Sequence, residues 1–169
     1  MASLPCIPLL AAIGLSLAGC ADKPANLGIS GEPGFYKKMT ASSARVDAVA
    51  ARDMISIYRR NHGAQPVSID PALQQAAQEQ ASAMAKADNM SHEVRGTLQS
   101  RLNGRLDHGA AVENISAGYH TLAEAFSGWR DSPAHNKNML NPAMRRMGIA
   151  TAYAPGSKYQ VYWALVMTD

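Results

Sequence analysis

The spacing of apolar residues changes along this chain, and the change marks out its elements. From Ala44 to Asn61 apolar residues fall at Val46, Val49, Ala50, Met54, Ile57 and Tyr58, close to a 3.6-residue repeat. Ser42 or Ser43 can cap that helix and Gly63 stops it. After a short extended link, Gln65 to Ile69, Asp70 and Pro71 supply an N-cap and a first-turn proline for a helix reaching about Asp88. Leu73, Ala76, Ala77, Gln80, Ala81 and Met84 share one face of it, and so many alanines predict a closely approaching neighbour. Leu98, Leu102 and Leu106 predict a short helix weakened by Gly104. Glu113-Asn114-Ile115 reads as a short apolar turn before Gly118. A helix follows from about Thr121 to Arg130, with Leu122, Ala125, Phe126 and Trp129 inward, and Ser132-Pro133 opens another, His135 to Leu140. Beyond Pro142 the period drops to two: Met147 to Tyr153 and Tyr159 to Met167 read as strands joined at Ala154 to Lys158. Helices first and a hairpin last define an α+β chain, with helices packed on a small antiparallel sheet.

The first residues follow another logic. Ile7 to Ala18 is apolar, too short to span a bilayer and suited to the core of an export signal. It ends in Leu17-Ala18-Gly19-Cys20, which resembles a bacterial lipobox, although Met1 to Leu10 holds no Lys or Arg, as such signals normally do. The expected division is a lipoprotein signal peptide over 1–19, a flexible Pro- and Gly-bearing tether over 20–40 starting at lipidated Cys20, and a folded domain over 41–169. The membrane is then a partner through the lipid on Cys20. Loss of Cys6 with the signal leaves the mature domain without a thiol pair. Ala21, rather than Asp, after the cysteine leans towards the outer membrane. The expected location is the cell envelope, exported and facing the periplasm.

Composition adds exclusions. A length of 169 residues suits one packed domain, with 47% apolar and 17% charged residues. The net charge of +3 comes from scattered Lys and Arg with no basic stripe, so nucleic acid is not an expected partner. The chain offers no glycine-rich phosphate loop, no paired-carboxylate spacing and no CxxC.

Candidate chemistry gathers between Val112 and Leu140, where Glu113 and His135 could face each other, and His92 lies upstream, just past a helix C-terminus. Each has a plain structural role to set beside a functional one. His92 would cap carbonyls of the preceding helix, Glu113 would accept from N–H groups of the loop that follows it, and His135 would point from a first helical turn to solvent. His62, His108 and His120 read as surface residues. Trp129, Tyr162 and Trp163 read as core aromatics. Ser132 reads as the N-cap before Pro133 rather than a nucleophile.

The order Ser91-His92, Glu113-Asn114-Ile115 with Gly118, Trp129 to Ser132-Pro133-Ala-His135 and on to Leu140, Met147-Gly148-Ile149-Ala150 and a terminal Tyr-Trp strand resembles the CAP superfamily. Those are the cysteine-rich secretory, antigen 5 and pathogenesis-related proteins, here in the bacterial SCP-like form. The resemblance spans roughly Val46 to Asp169. It implies an α-β-α sandwich with a central cleft that many members line with two His and two Glu. His92 and Glu113 match two of those positions. The other acid falls on Ser132 and the other His near Ser157, with Gln160 and Trp163 retained, and His135 would supply the second imidazole.

The resemblance requires no cofactor but admits a divalent metal, zinc, on His92, His135 and Glu113. Trp129, Asn114 and Ser132 are expected to be structural. The expected function is an envelope-tethered module binding a lipid or small molecule, or another envelope protein, and more a binder than an enzyme. One alternative is a metal-dependent peptidase or esterase in which the histidines hold zinc and Glu113 orients water. The other is a structural envelope-interaction protein.

Overall fold

The computed structural model describes residues 31–103 and 109–169; the export signal, Cys20, Leu106 and His108 lie outside them. Its elements are helices α1 (Ala48–Asn61), α2 (Pro71–Ala87), α3 (Leu98–Leu102), α4 (Leu122–Asp131) and α5 (Pro133–Leu140), and strands β1 (Ser68–Ile69), β2 (Ala111–Ala117), β3 (Arg146–Tyr153) and β4 (Val161–Thr168). The α+β reading and the terminal hairpin hold. The four strands stand in the order β1-β3-β4-β2. β2 and β3 run antiparallel to β4, while β1 joins β3 in parallel, so the sheet is mixed at one edge.

β4 explains the layering. All eight of its residues are buried, and alternate ones belong to different cores, as a period of two requires. Val161, Trp163, Leu165 and Met167 pack with Ile55 of α1, Trp129 of α4 and Met139 of α5. Tyr162, Ala164 and Val166 pack with Leu73, Ala77 and Met84 of α2 and Leu102 beside them. The sheet is thus covered on both faces, and a strand buried on both sides reads as an unbroken apolar run.

The alanine face of α2 lies directly on β3. A Cβ added to Gly148 would stand 2.1 Å from the Leu73 carbonyl carbon and 2.2 Å from the Gln74 nitrogen, so helix backbone and strand backbone nearly touch. Because α2 comes this close, its side chains reach the free edge of β3 where the short β1 has ended. The Gln74 amide donates to the Ile149 carbonyl at 2.6 Å and accepts the Ile149 N–H at 3.1 Å, and Gln78 donates to the Thr151 carbonyl at 3.2 Å.

Several local expectations are corrected. Ala111–Ala117, read as a turn, is a strand paired with β4 along its whole length. In α1 the cap is Asp47, whose side chain accepts from the Ala50 N–H, not Ser42 or Ser43. Val49 and Ile57, placed on the inner face, are each 52% exposed, while Ser56 and Arg59 are buried. The buried stripe is turned because Ser56 bonds the backbone of Val67 and Arg59 bonds a set of carbonyls. Glu32–Asp169 forms one compact unit. Met39 is only 1% exposed; its N–H donates to the His120 carbonyl, and Phe35 accepts from the Ala123 N–H. No periodicity betrays this docking, because its partners are the start of α4, far along the chain.

Ser132 occupies the N-cap position of α5, but its side chain makes no cap hydrogen bond. Trp129, Tyr162 and Trp163 are core residues as expected, the two indoles meeting edge to face at 6.5 Å.

Candidate functional site

β2 is an edge strand, and its alternation sends consecutive residues in opposite directions. Glu113 turns to the α3 side and Asn114 to the α5 side. The carboxylate of Glu113 is buried, its side chain 2% exposed, and both its oxygens accept from Nη2 of Arg101, at 3.0 and 2.9 Å. Arg101 itself is 4% exposed along its side chain. Nδ1 of His92 meets Glu113 Oε1 at 2.8 Å, yet the His92 side chain is 54% exposed. His92 is therefore an exposed ring held by a buried carboxylate. Its expected role at the end of α2 is taken by Asp88, the left-handed C-cap, which also accepts from the Lys158 N–H at 3.0 Å and from the Tyr162 hydroxyl.

On the other side, Asn114 is 1% exposed and donates to the His135 carbonyl at 3.0 Å. Asn138 donates to Asn114 Oδ1 at 2.9 Å and to the Glu113 carbonyl at 3.2 Å. These bonds tie α5 to β2 and so fix where His135 sits. The His135 ring is half-buried, and burial pushes its pKa below the ordinary histidine value, with a charge on His92 acting in the same direction. Two of the three sequence candidates, His92 and Glu113, are in direct contact, while His135, its side chain hydrogen-bonded to neither, feels the charge of His92. His62 and His120 lie exposed. Two surface pockets lined by described residues, one of about 560 Å³ at Tyr36, Lys38, Thr121 and Glu124, the other of about 460 Å³ at Val112, Lys137, Asn138 and Leu140, include none of the three.

Glu113 is poorly placed as one of three zinc ligands. Zinc needs ligand lone pairs free to point at it, and the Glu113 oxygens are already engaged by the Arg101 guanidinium and by His92 Nδ1, whereas Nε2 of His92 is not. Among the described residues no three His, Cys, Asp or Glu stand so as to hold a metal ion. The His92, His135 and Glu113 ligand set stays a proposal, with Glu113 its weakest member. The reason is Arg101, a residue the sequence reading passed over. A signal was present: Arg101 follows Leu98 by three positions, on the apolar stripe of a short helix, where a cation needs a buried partner.

The depressed pKa of His135 has a testable sign. A folded-state value below the unfolded 6.5 means the unfolded chain takes the proton more readily, so stability is fully present above about pH 6.5 and is lost as pH falls towards the folded value. Urea unfolding midpoints are expected to decline across that window, and His135→Gln is expected to flatten the decline. An unchanged slope in the variant would assign it to other groups.

The comparisons agree with this architecture. The family model for CAP, the cysteine-rich secretory protein family, matches residues 52–167. The chain belongs to the CAP family. It is 23% identical over 125 residues to the uncharacterized Bacillus subtilis (strain 168) protein YkwD, a match covering 69% of this chain and 49% of that protein. It superposes on an extracellular protein containing an SCP domain from Bacillus anthracis with a TM-score of 0.62 at 25% identity, over 72% of this chain and 39% of that one. An outer surface protein of Borrelia burgdorferi gives 0.63 at 18% identity, over 70% of this chain and 88% of that one, and shows the fold alone. The chain thus spans about half the length of the curated relative. No helix among the described residues is long and apolar enough to cross a membrane.

Proposed function

We propose that this CAP-domain chain is an exported binding module of the bacterial envelope, tethered through lipidated Cys20, whose His92–Glu113–His135 edge receives a lipid, a small molecule or a partner protein. The observation that carries this reading is the pairing of Glu113 with Arg101. With both oxygens accepting from a buried guanidinium and one of them also from His92, this carboxylate is better placed to steady an imidazole than to activate a nucleophile. No described hydroxyl is hydrogen-bonded to His92 or His135, so neither ring has a serine or threonine to activate. The likeness to an extracellular SCP-domain protein of Bacillus anthracis supports an exported location.

The test uses the chain from Cys20 onward with Cys20→Ser. A molecule that co-purifies with it from envelope extract, or raises its Tm, and is lost in His92→Ala is the expected result. Steady turnover of peptides or esters that disappears in His92→Ala would overturn the reading in favour of a hydrolase. Release of the unaltered chain from the membrane fraction by Cys20→Ser tests the tether.

A further inference from the structure

We propose that Arg101 is a positioning residue that, through Glu113, fixes the His92 ring with its proton on Nδ1 and its Nε2 lone pair towards solvent. The ligand-facing atom of His92 is then an acceptor, and it takes a hydrogen bond from a hydroxyl or N–H of the ligand; this last step rests on the binding function proposed above.

The chemistry follows from the partners. A guanidinium does not give up its proton, and the carboxylate beside it accepts hydrogen bonds without donating any. Glu113 Oε1 can therefore meet His92 Nδ1 at 2.8 Å only if that nitrogen carries hydrogen. In the neutral ring the other nitrogen is then the acceptor. Arg101 also holds the other end of the residue. Its Nη2 donates to the His92 carbonyl at 3.1 Å, and buried Gln80 donates to the carbonyls of Ser91 and His92 at 2.8 and 3.4 Å.

An exposed ring has no need of such restraint for stability. Ordering it costs side-chain entropy, and a buried ion pair is weak evidence of net stabilisation. The arrangement is that of a group held in one orientation for a ligand. Burial disfavours the neighbouring His135 as a cation, so that ring adds no positive charge that would draw an anion to this edge.

The decisive measurement is long-range proton–nitrogen correlation on histidine-labelled protein at about pH 8, above the ordinary histidine range. It needs no ligand, so its outcome is independent of the binding test. In the wild type His92 is expected to carry its proton on Nδ1 by about tenfold or more, the bias one charge-assisted hydrogen bond imposes. Predominant Nε2–H in the wild type overturns the proposal. Glu113→Gln, whose amide can donate as well as accept, is expected to release that bias, and Arg101→Lys to keep it. A bias unchanged in Glu113→Gln also overturns it. Should Arg101→Lys fail to fold, the wild-type and Glu113→Gln spectra still decide. A purely structural latch between α3 and β2 would lower the Tm of these variants without moving the proton.

Discussion

Arg59→Met is expected to lower the unfolding free energy by about 3–4 kcal/mol, read as a drop in denaturant midpoint at unchanged m-value. Arg59 is 0% exposed, and no carboxylate is among its hydrogen-bond partners. Its guanidinium instead donates to four carbonyls: Gln65 at 2.7 Å, Asn141 at 3.0 Å, Met144 at 2.9 Å, and Met139. Burial lowers its pKa, with Arg145 adding repulsion, so the charge is held at a cost. Replacing a buried ion by an apolar side chain relieves that cost, and for ion pairs the exchange is often neutral. Here the partners cannot be replaced with it. The carbonyls of Met139 and Met144 stay buried and lose their donor, at about 1–3 kcal/mol each, and this loss exceeds the relief. Arg59→Lys is expected to fall between, because one ammonium cannot span the end of α1, the end of α5 and the turn before β3. A midpoint for Arg59→Met within error of wild type would remove the staple from the account.

Gly148→Ala is expected to cost about 3 kcal/mol or more, at or beyond the upper end for one added methyl group. Overpacking is usually relieved by a neighbouring side chain changing rotamer. At Gly148 the atoms met are the backbone of Leu73 and Gln74 within 2.3 Å, so α2 as a whole must lift from β3. That shift would disturb the alanine contacts and the position of Gln80 together. Loss of cooperative thermal unfolding, or a Tm lowered by roughly 10 °C or more for a domain of this size, is the outcome to look for. A fully native Tm would mean that α2 can move freely.

The helices were legible because their signals are local. Asp70 and Pro71, the alanine face of α2, and Trp129 on α4 announce themselves within a few residues, and the apolar runs of β3 and β4 on either side of Ala154 to Lys158 mark the hairpin. β2 was hidden because an edge strand that sends Glu113 and Asn114 to two different sets of polar partners has no clean apolar alternation. The candidate site was half legible. Motif order brought out His92 and Glu113, whose contact holds at 2.8 Å, and His135, which is coupled to His92. Arg101 stayed hidden in a stretch of weak periodicity, although it decides what Glu113 can do. Arg59 was hidden likewise, since an arginine on an amphipathic helix reads as a solvent-facing residue until its carbonyl partners, some eighty positions away, are in place.

The glutamines of α2 carry one more consequence. A strand whose neighbour stops short leaves a ladder of open donors and acceptors, the template on which another chain can add a strand. β1 supplies only two residues against the eight of β3. Beyond it the Gln74 amide gives Ile149 both hydrogen bonds that a neighbouring strand would have given. A side-chain amide standing in for a strand closes this edge to other copies of the chain without lengthening the sheet.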